Sequence, residues 1–135
     1  MEPIECIIYE PPVAKGRART TVIGGHVRQY TPKKTTNSEA MIKALIRTEV
    51  LKLGNFEAGV PLRVDATFYR EKPKSAPRRV TMPVSKPDLD NYLKLLLDAL
   101  NKYIFPDDNQ IVSVNMKKRF GNPPRIEVMI REEVA

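Results

Sequence analysis

The chain has 135 residues, carries a formal net charge of +7, and is 41% apolar against 29% charged, which fits one soluble domain with a real core. No run approaches the roughly 18 apolar residues of a membrane span, and an acidic start without a basic, apolar leader gives no reason to expect a secretory signal. One Cys (Cys6) and one His (His26) exclude a disulfide framework, a Cys-rich zinc site and a multi-histidine metal centre, and fit a reducing, cytoplasmic setting.

Residues 4–9 alternate as a strand with Ile4, Cys6 and Ile8 on one face, and Pro11-Pro12 ends it. A basic stretch, Lys15-Gly-Arg-Ala-Arg, follows. Residues 21–28 read as a hairpin turning at Gly24-Gly25. Asn37 or Ser38 can cap a helix running to about Leu53, with Gly54 stopping it. Pro61 opens a strand whose Leu62, Val64, Ala66 and Phe68 share a face.

Residues 71–87 hold four prolines and little apolar material, so a long mobile basic loop is expected. A second helix should run from Leu89 to about Tyr103, its apolar stripe formed by Leu89, Leu93, Leu96, Leu97, Leu100 and Ile104. Residues 111–120 and 125–130 read as two strands joined by Gly121-Asn-Pro-Pro. The expectation is a single α+β domain spanning 1–135, a mixed β-sheet with two packed α-helices.

Charge is unevenly spread. Residues 11–34 contain six basic side chains and no acid; residues 71–87 contain five against one; Lys117-Lys118-Arg119 adds a third cluster. Such a surface attracts polyanions, nucleic acid above all. Lys15, Arg17, Arg19, Arg78, Arg79, Lys86, Lys117, Lys118 and Arg119 are the candidate DNA contacts. Arg17, Arg19, Arg78 and Arg79 sit where few apolar neighbours supply a structural role. Cys6 and His26 read as a core residue and an exposed hairpin residue. Tyr9, Tyr30 and Tyr92 could stack on bases, although packing is the commoner role.

Between Pro87 and Met116 the balance inverts: Asp88, Asp90, Asp98, Asp107 and Asp108 face only Lys94 and Lys102. Pro87 disfavours helical geometry at Lys86, which puts Asp88 near an N-cap and Asp90 in the first turn. From that cap the two carboxylates can converge on one point. Asp90, Lys94 and Asn101 form a polar stripe expected to border the leucine face, at the edge of the core. Oxygen-only ligands suit a hard cation such as Mg²⁺, and a few carboxylates with a lysine are the equipment of metal-assisted phosphodiester hydrolysis.

The same acids also fit plain structural roles as cap, dipole partner, i,i+4 ion pair with Lys94, and turn. A helix of some fourteen residues would separate Asp88 from Asp108 by about 20 Å. They meet only if the chain doubles back through Phe105-Pro106 or a partner subunit intervenes.

The block Lys86-Pro-Asp-Leu-Asp-Asn, Lys94, Leu97-Asp-Ala-Leu and Asp107-Asp-Asn-Gln-Ile-Val resembles the RusA family of Holliday junction resolvases. Pro11-Pro, Lys15-Gly-Arg-Ala-Arg, Tyr30-Thr-Pro-Lys and Lys117-Lys-Arg extend the resemblance over most of the chain. It implies a RusA-like fold and a homodimeric, Mg²⁺-dependent endodeoxyribonuclease of recombination and repair, with Mn²⁺ able to substitute, resolving four-way DNA junctions by paired symmetric nicks. By motif position Asp88, Asp90 and Asp108 match the family's essential carboxylates and Lys94 its essential lysine; Asp107 matches a neighbouring acid and is the alternative ligand. It further implies a bacterial or prophage-encoded protein. The competing readings are a non-catalytic nucleic-acid-binding module and a metal-dependent nuclease acting on another branched substrate or on RNA.

Overall fold

In a computed structural model the structure describes residues 3–12, 19–30, 40, 41, 44, 45 and 55–135. Alternating apolar residues build four strands of one sheet. These are β1 (Ile4–Ile8), β4 (Leu62–Arg70), β5 (Ile111–Phe120) and β6 (Arg125–Glu132). Their order is β1-β6-β4-β5. β6 runs antiparallel to both β1 and β4, whereas β4 and β5 are parallel, so the sheet is mixed.

A parallel neighbour requires a crossover. Helix α1 (Leu89–Leu100) supplies it, running back along the sheet between β4 and β5. A separate hairpin, β2 (Arg19–Ile23) with β3 (His26–Tyr30), turns at Gly24-Gly25 as expected. Both glycines have positive φ, +57° and +79°, the conformation a two-residue hairpin loop demands.

Ala40, Met41, Ala44 and Leu45 are helical, but the rest of the helix expected over 37–53 lies outside the described residues. One complete helix is therefore observed rather than two. The core lies between α1 and one sheet face. Leu62, Val64, Ala66 and Phe68 of β4 and Ile126, Val128 and Ile130 of β6 meet Tyr92, Leu95, Leu96, Ala99 and Leu100 of α1. Phe68 and Tyr92 stack with ring centroids 5.3 Å apart. Tyr92 is thereby committed to the core and offers no platform for a base.

Two expectations for α1 need correction. The helix ends at Leu100, with Asn101 as C-cap and Lys102 in the left-handed region at φ 68°. Tyr103, Ile104 and Phe105 are apolar because they fold back as a tight turn: Lys102 N–H donates to the Phe105 carbonyl, and the Phe56 N–H to that of Ile104. The buried arc is centred on Tyr92, Leu96 and Ala99, while Leu93 and Leu97 are only half-buried on its flank. Asp90 and Lys94 consequently face open solvent, not the edge of the core.

Candidate active site

The N-terminal end of α1 sits at the ends of β4 and β5 where both parallel strands finish. The segment leading into it is tied to those strands by two cations. Lys118 Nζ donates to the carbonyls of Ser85 (3.0 Å) and Pro87 (3.1 Å). Arg70 Nη1 donates to the Lys86 carbonyl (2.9 Å), and its Nη2 to Ser85 Oγ. The end of the 71–87 segment is thus anchored, with further turn bonds from Ala76 N–H to Pro73 O and Val80 N–H to Pro77 O.

Asp88 occupies the N-cap with extended backbone (φ −68°, ψ 151°), and its carbonyl accepts from Asn91 N–H at 3.1 Å. Its carboxylate, however, makes no capping hydrogen bond and is exposed. The plain capping role does not account for it. Asp90 is likewise exposed and forms no ion pair with Lys94 among the described residues. Two carboxylates and an ammonium therefore stand on one end of the helix, unused by the fold, where the helix dipole favours negative charge.

Asp107 and Asp108 lie at the opposite end. Asp107 caps a short 3-10 turn (Asp108–Gln110), its side chain accepting from Asn109 N–H at 3.1 Å. The turn is fixed from beneath by Gln110, a buried polar side chain at 7% exposure. Gln110 Oε1 accepts from Asp107 N–H (3.2 Å), while Nε2 donates to the carbonyls of Glu57 (2.8 Å) and Val60 (3.1 Å). Sequence reasoning passed over Gln110, although Asp-x-x-Gln is a capping-box spacing that marks it.

Asp108 has its carboxyl raised above its ordinary value. Loss of hydration is the largest cause, followed by a hydrogen bond shared with Asp107 and by the negative charges of Asp107 and Asp98. Within one chain Asp108 therefore feels the charges of Asp107 and Asp98 and not those of Asp88 and Asp90. Asp98 lies ten residues along α1 from Asp88, about 15 Å of helix rise. The turn through Phe105-Pro106 does not return Asp108 to the N-terminal end. Among the described residues no three acidic, His or Cys side chains come together in a form that could hold a metal ion.

Of the expected DNA contacts, Arg78, Arg79, Lys86 and Lys117 are exposed, and Arg119 is half-buried with its guanidinium on the Lys118 carbonyl. Lys118 is half-buried and occupied by the loop carbonyls. Lys15 and Arg17 lie outside the described residues; of Arg19 the backbone alone is described, in β2. A groove of about 620 Å³ opens on the sheet face away from α1. Its lining includes Glu5, Asp65 and Glu127 beside Lys117, a mixture that suits no polyanion. No helix among the described residues is long and apolar enough to cross a membrane.

The family model for endodeoxyribonuclease RusA matches residues 10–131. The chain is 33% identical over 105 residues to a crossover junction endodeoxyribonuclease rusA of Lactococcus phage r1t, covering 77% of this chain and 78% of that one. It is also 35% identical, over 98% of both chains, to the uncharacterized protein YqaN of Bacillus subtilis (strain 168). With its acid-bearing helix set among basic loops and a family match across nearly its whole length, the chain belongs to the RusA endodeoxyribonuclease family.

Proposed function

We propose that the protein is an Mg²⁺-dependent endonuclease that resolves four-way DNA junctions by paired nicks, as a homodimer, in the bacterial cytoplasm during recombination and repair. The observation that carries this reading is the idle chemistry at the head of α1. Asp88 fills a cap position without using its carboxylate to cap, and Asp90 and Lys94 stand one turn apart without pairing. Beyond the modest gain the two acids draw from the helix dipole, these three charged groups make no contact that the fold uses, which suits ligands that arrive later.

The donor set fits the cation. Asp88 and Asp90 offer exposed carboxylate oxygens of the kind a hard divalent ion takes alongside water, and Asp108, with Asp107 as the alternative, would join them from the partner subunit, since within one chain it stands beyond the other end of α1. Bound there, Mg²⁺ or Mn²⁺ would polarise the phosphate and lower the pKa of a water nucleophile. Lys94 places positive charge where the phosphate becomes more negative as its fifth oxygen arrives. Arg78, Arg79 and Lys86, exposed on the segment that leads into α1, hold the flanking backbone phosphates. Lys118 and Arg70 fix the strand-to-helix segment that aims Asp88.

The test is a labelled four-way junction incubated with Mg²⁺ and with EDTA. Cutting in Mg²⁺ alone, with Asp90→Asn binding the junction as tightly as wild type yet cutting none, is the expected result. Tight binding without product in Mg²⁺ would leave a passive nucleic-acid-binding module. Equal cutting of junction, flap, linear duplex and RNA would leave a nuclease of another substrate class.

A further inference from the structure

We propose that Met82 and Val84 form a wedge that enters the branch point of the DNA and meets base faces there, giving the protein its preference for a junction over a continuous duplex. The inference rests on the junction reading above and adds to it a selectivity element separate from the acids.

Residues 71–87 hold few apolar side chains, and two of those few are turned outward. Val84 is 87% exposed, more than any other large apolar side chain among the described residues, and Met82 is 47% exposed. Pro83 between them is buried. Out, in, out is the alternation of an extended stretch, so the proline plugs inward while its two neighbours stand toward solvent together. A single exposed valine would need no explanation. A pair set out on either side of a buried anchor is a built feature.

The pair is held in place. Directly after Val84, Arg70 donates to Ser85 Oγ and to the Lys86 carbonyl, and Lys118 Nζ donates to the carbonyls of Ser85 and Pro87. Just ahead of the pair, the Val80 N–H closes a turn on the Pro77 carbonyl at 3.0 Å. Backbone fixed on both sides, with a β-branched valine stiff at χ1, has little freedom left to lose when a ligand covers it.

The setting selects the ligand. From Arg78 to Lys86 the chain carries three cations and no acid, and all three are exposed. Val84 precedes Asp88 by four residues, so their Cα atoms lie within about 14 Å, about four base pairs of rise. Anionic phosphates match the cations, and base faces are then the apolar surface within reach of Val84 and Met82. In a continuous duplex stacking covers those faces, and opening a step is costly. Where strands exchange at a four-way branch point the stack is already interrupted. Apolar side chains, Met among them, wedge between base steps in proteins that kink DNA. Here the same contact is gained at a branch and withheld on a duplex, and that difference is selectivity.

The test reads binding in EDTA, so cutting plays no part in it. The probes are a four-way junction with 2-aminopurine beside the branch point and a linear duplex of the same length. Wild type should favour the junction and raise the 2-aminopurine fluorescence, the signature of a lost stacking neighbour. The double variant Met82→Ser, Val84→Ser should bind the junction about tenfold more weakly, bind the duplex unchanged, and lose the fluorescence rise. Val84→Leu, which keeps the apolar surface, should retain both the preference and the rise. A double variant that keeps them overturns the wedge. An equal loss on junction and duplex also overturns it, since the two side chains would then serve a contact common to both DNAs. A wild type that binds junction and duplex alike overturns the junction reading itself.

Discussion

Replacing Gln110 by Met probes the joint between fold and site. The substitution keeps volume and apolar reach but removes three hydrogen bonds at once: two donated to Glu57 and Val60 carbonyls and one accepted from Asp107 N–H. Leaving a buried partner unsatisfied costs about 1–3 kcal/mol. Water can reach some of these loop groups, so the sum should be about 3 kcal/mol rather than the full total. With a urea dependence near 2 kcal/mol per molar, the unfolding midpoint should fall by about 1.5 M. Gln110→Glu sharpens the reasoning. Above its pKa the new carboxylate opposes two carbonyl oxygens, so it should be less stable than Gln110→Met at pH 7. When protonated it regains one donor, and the order should reverse near pH 4. The sign follows from a folded-state pKa raised above the unfolded one, which gives stability present in acid and lost as pH rises. A loss under about 0.5 kcal/mol for Gln110→Met, with no pH-dependent crossing, would mean that solvent and not Gln110 satisfies the turn.

Asp108→Asn should raise the melting temperature at pH 7 in the absence of divalent ions. The wild-type carboxyl is raised by lost hydration and by neighbouring acids, so its cost appears as pH climbs through that raised value and vanishes below about 4; an unchanged melting temperature across this range refutes it. Lys118→Met should free the segment before Asp88 and speed tryptic cleavage after Arg78 and Arg79 on the order of fivefold, equivalent to about 1 kcal/mol. Its junction affinity should keep the same salt dependence, whereas unchanged proteolysis with a shallower slope would reassign Lys118 to a phosphate. Arg78→Ala and Arg79→Ala should each reduce the slope of log affinity against log salt by about 0.9, and an unchanged slope removes that arginine from the interface.

Much of the scaffold was legible because its physics is local. Leu62, Val64, Ala66 and Phe68 alternate, and they form the buried face of β4. Gly24-Gly25 sits where two consecutive positive φ angles are required. Pro87 and Asp88 mark the start of α1 within one residue. What failed depends on distant partners. The end of α1 was placed at Tyr103 because Tyr103, Ile104 and Phe105 continue an apolar pattern, and only the contact of this turn with Phe56 shows that they return to the core as irregular chain. The facing of the helix was misjudged because leucines outnumber other apolar residues, yet Tyr92 stacked on Phe68 sets the rotation.

The acid motif itself was legible by type and spacing, and its position at the two ends of α1 follows from the helix length. Its assembly was not legible, because no periodicity reports which end of a helix meets which in another subunit. Gln110 was missed for a different reason: a single buried amide changes neither composition nor pattern, and the capping-box spacing around it was the available signal.

A crystal of the protein grown with Mn²⁺ addresses the divided carboxylates most directly, since the anomalous signal reports the ion and its ligands without reference to activity. The account predicts a peak about 2.1 Å from oxygens of Asp88 and Asp90 in one subunit and of Asp108 in its twofold mate. Peaks only at the Asp98, Asp107 and Asp108 end, or no peak beside Asp88 and Asp90 at millimolar Mn²⁺, would contradict it.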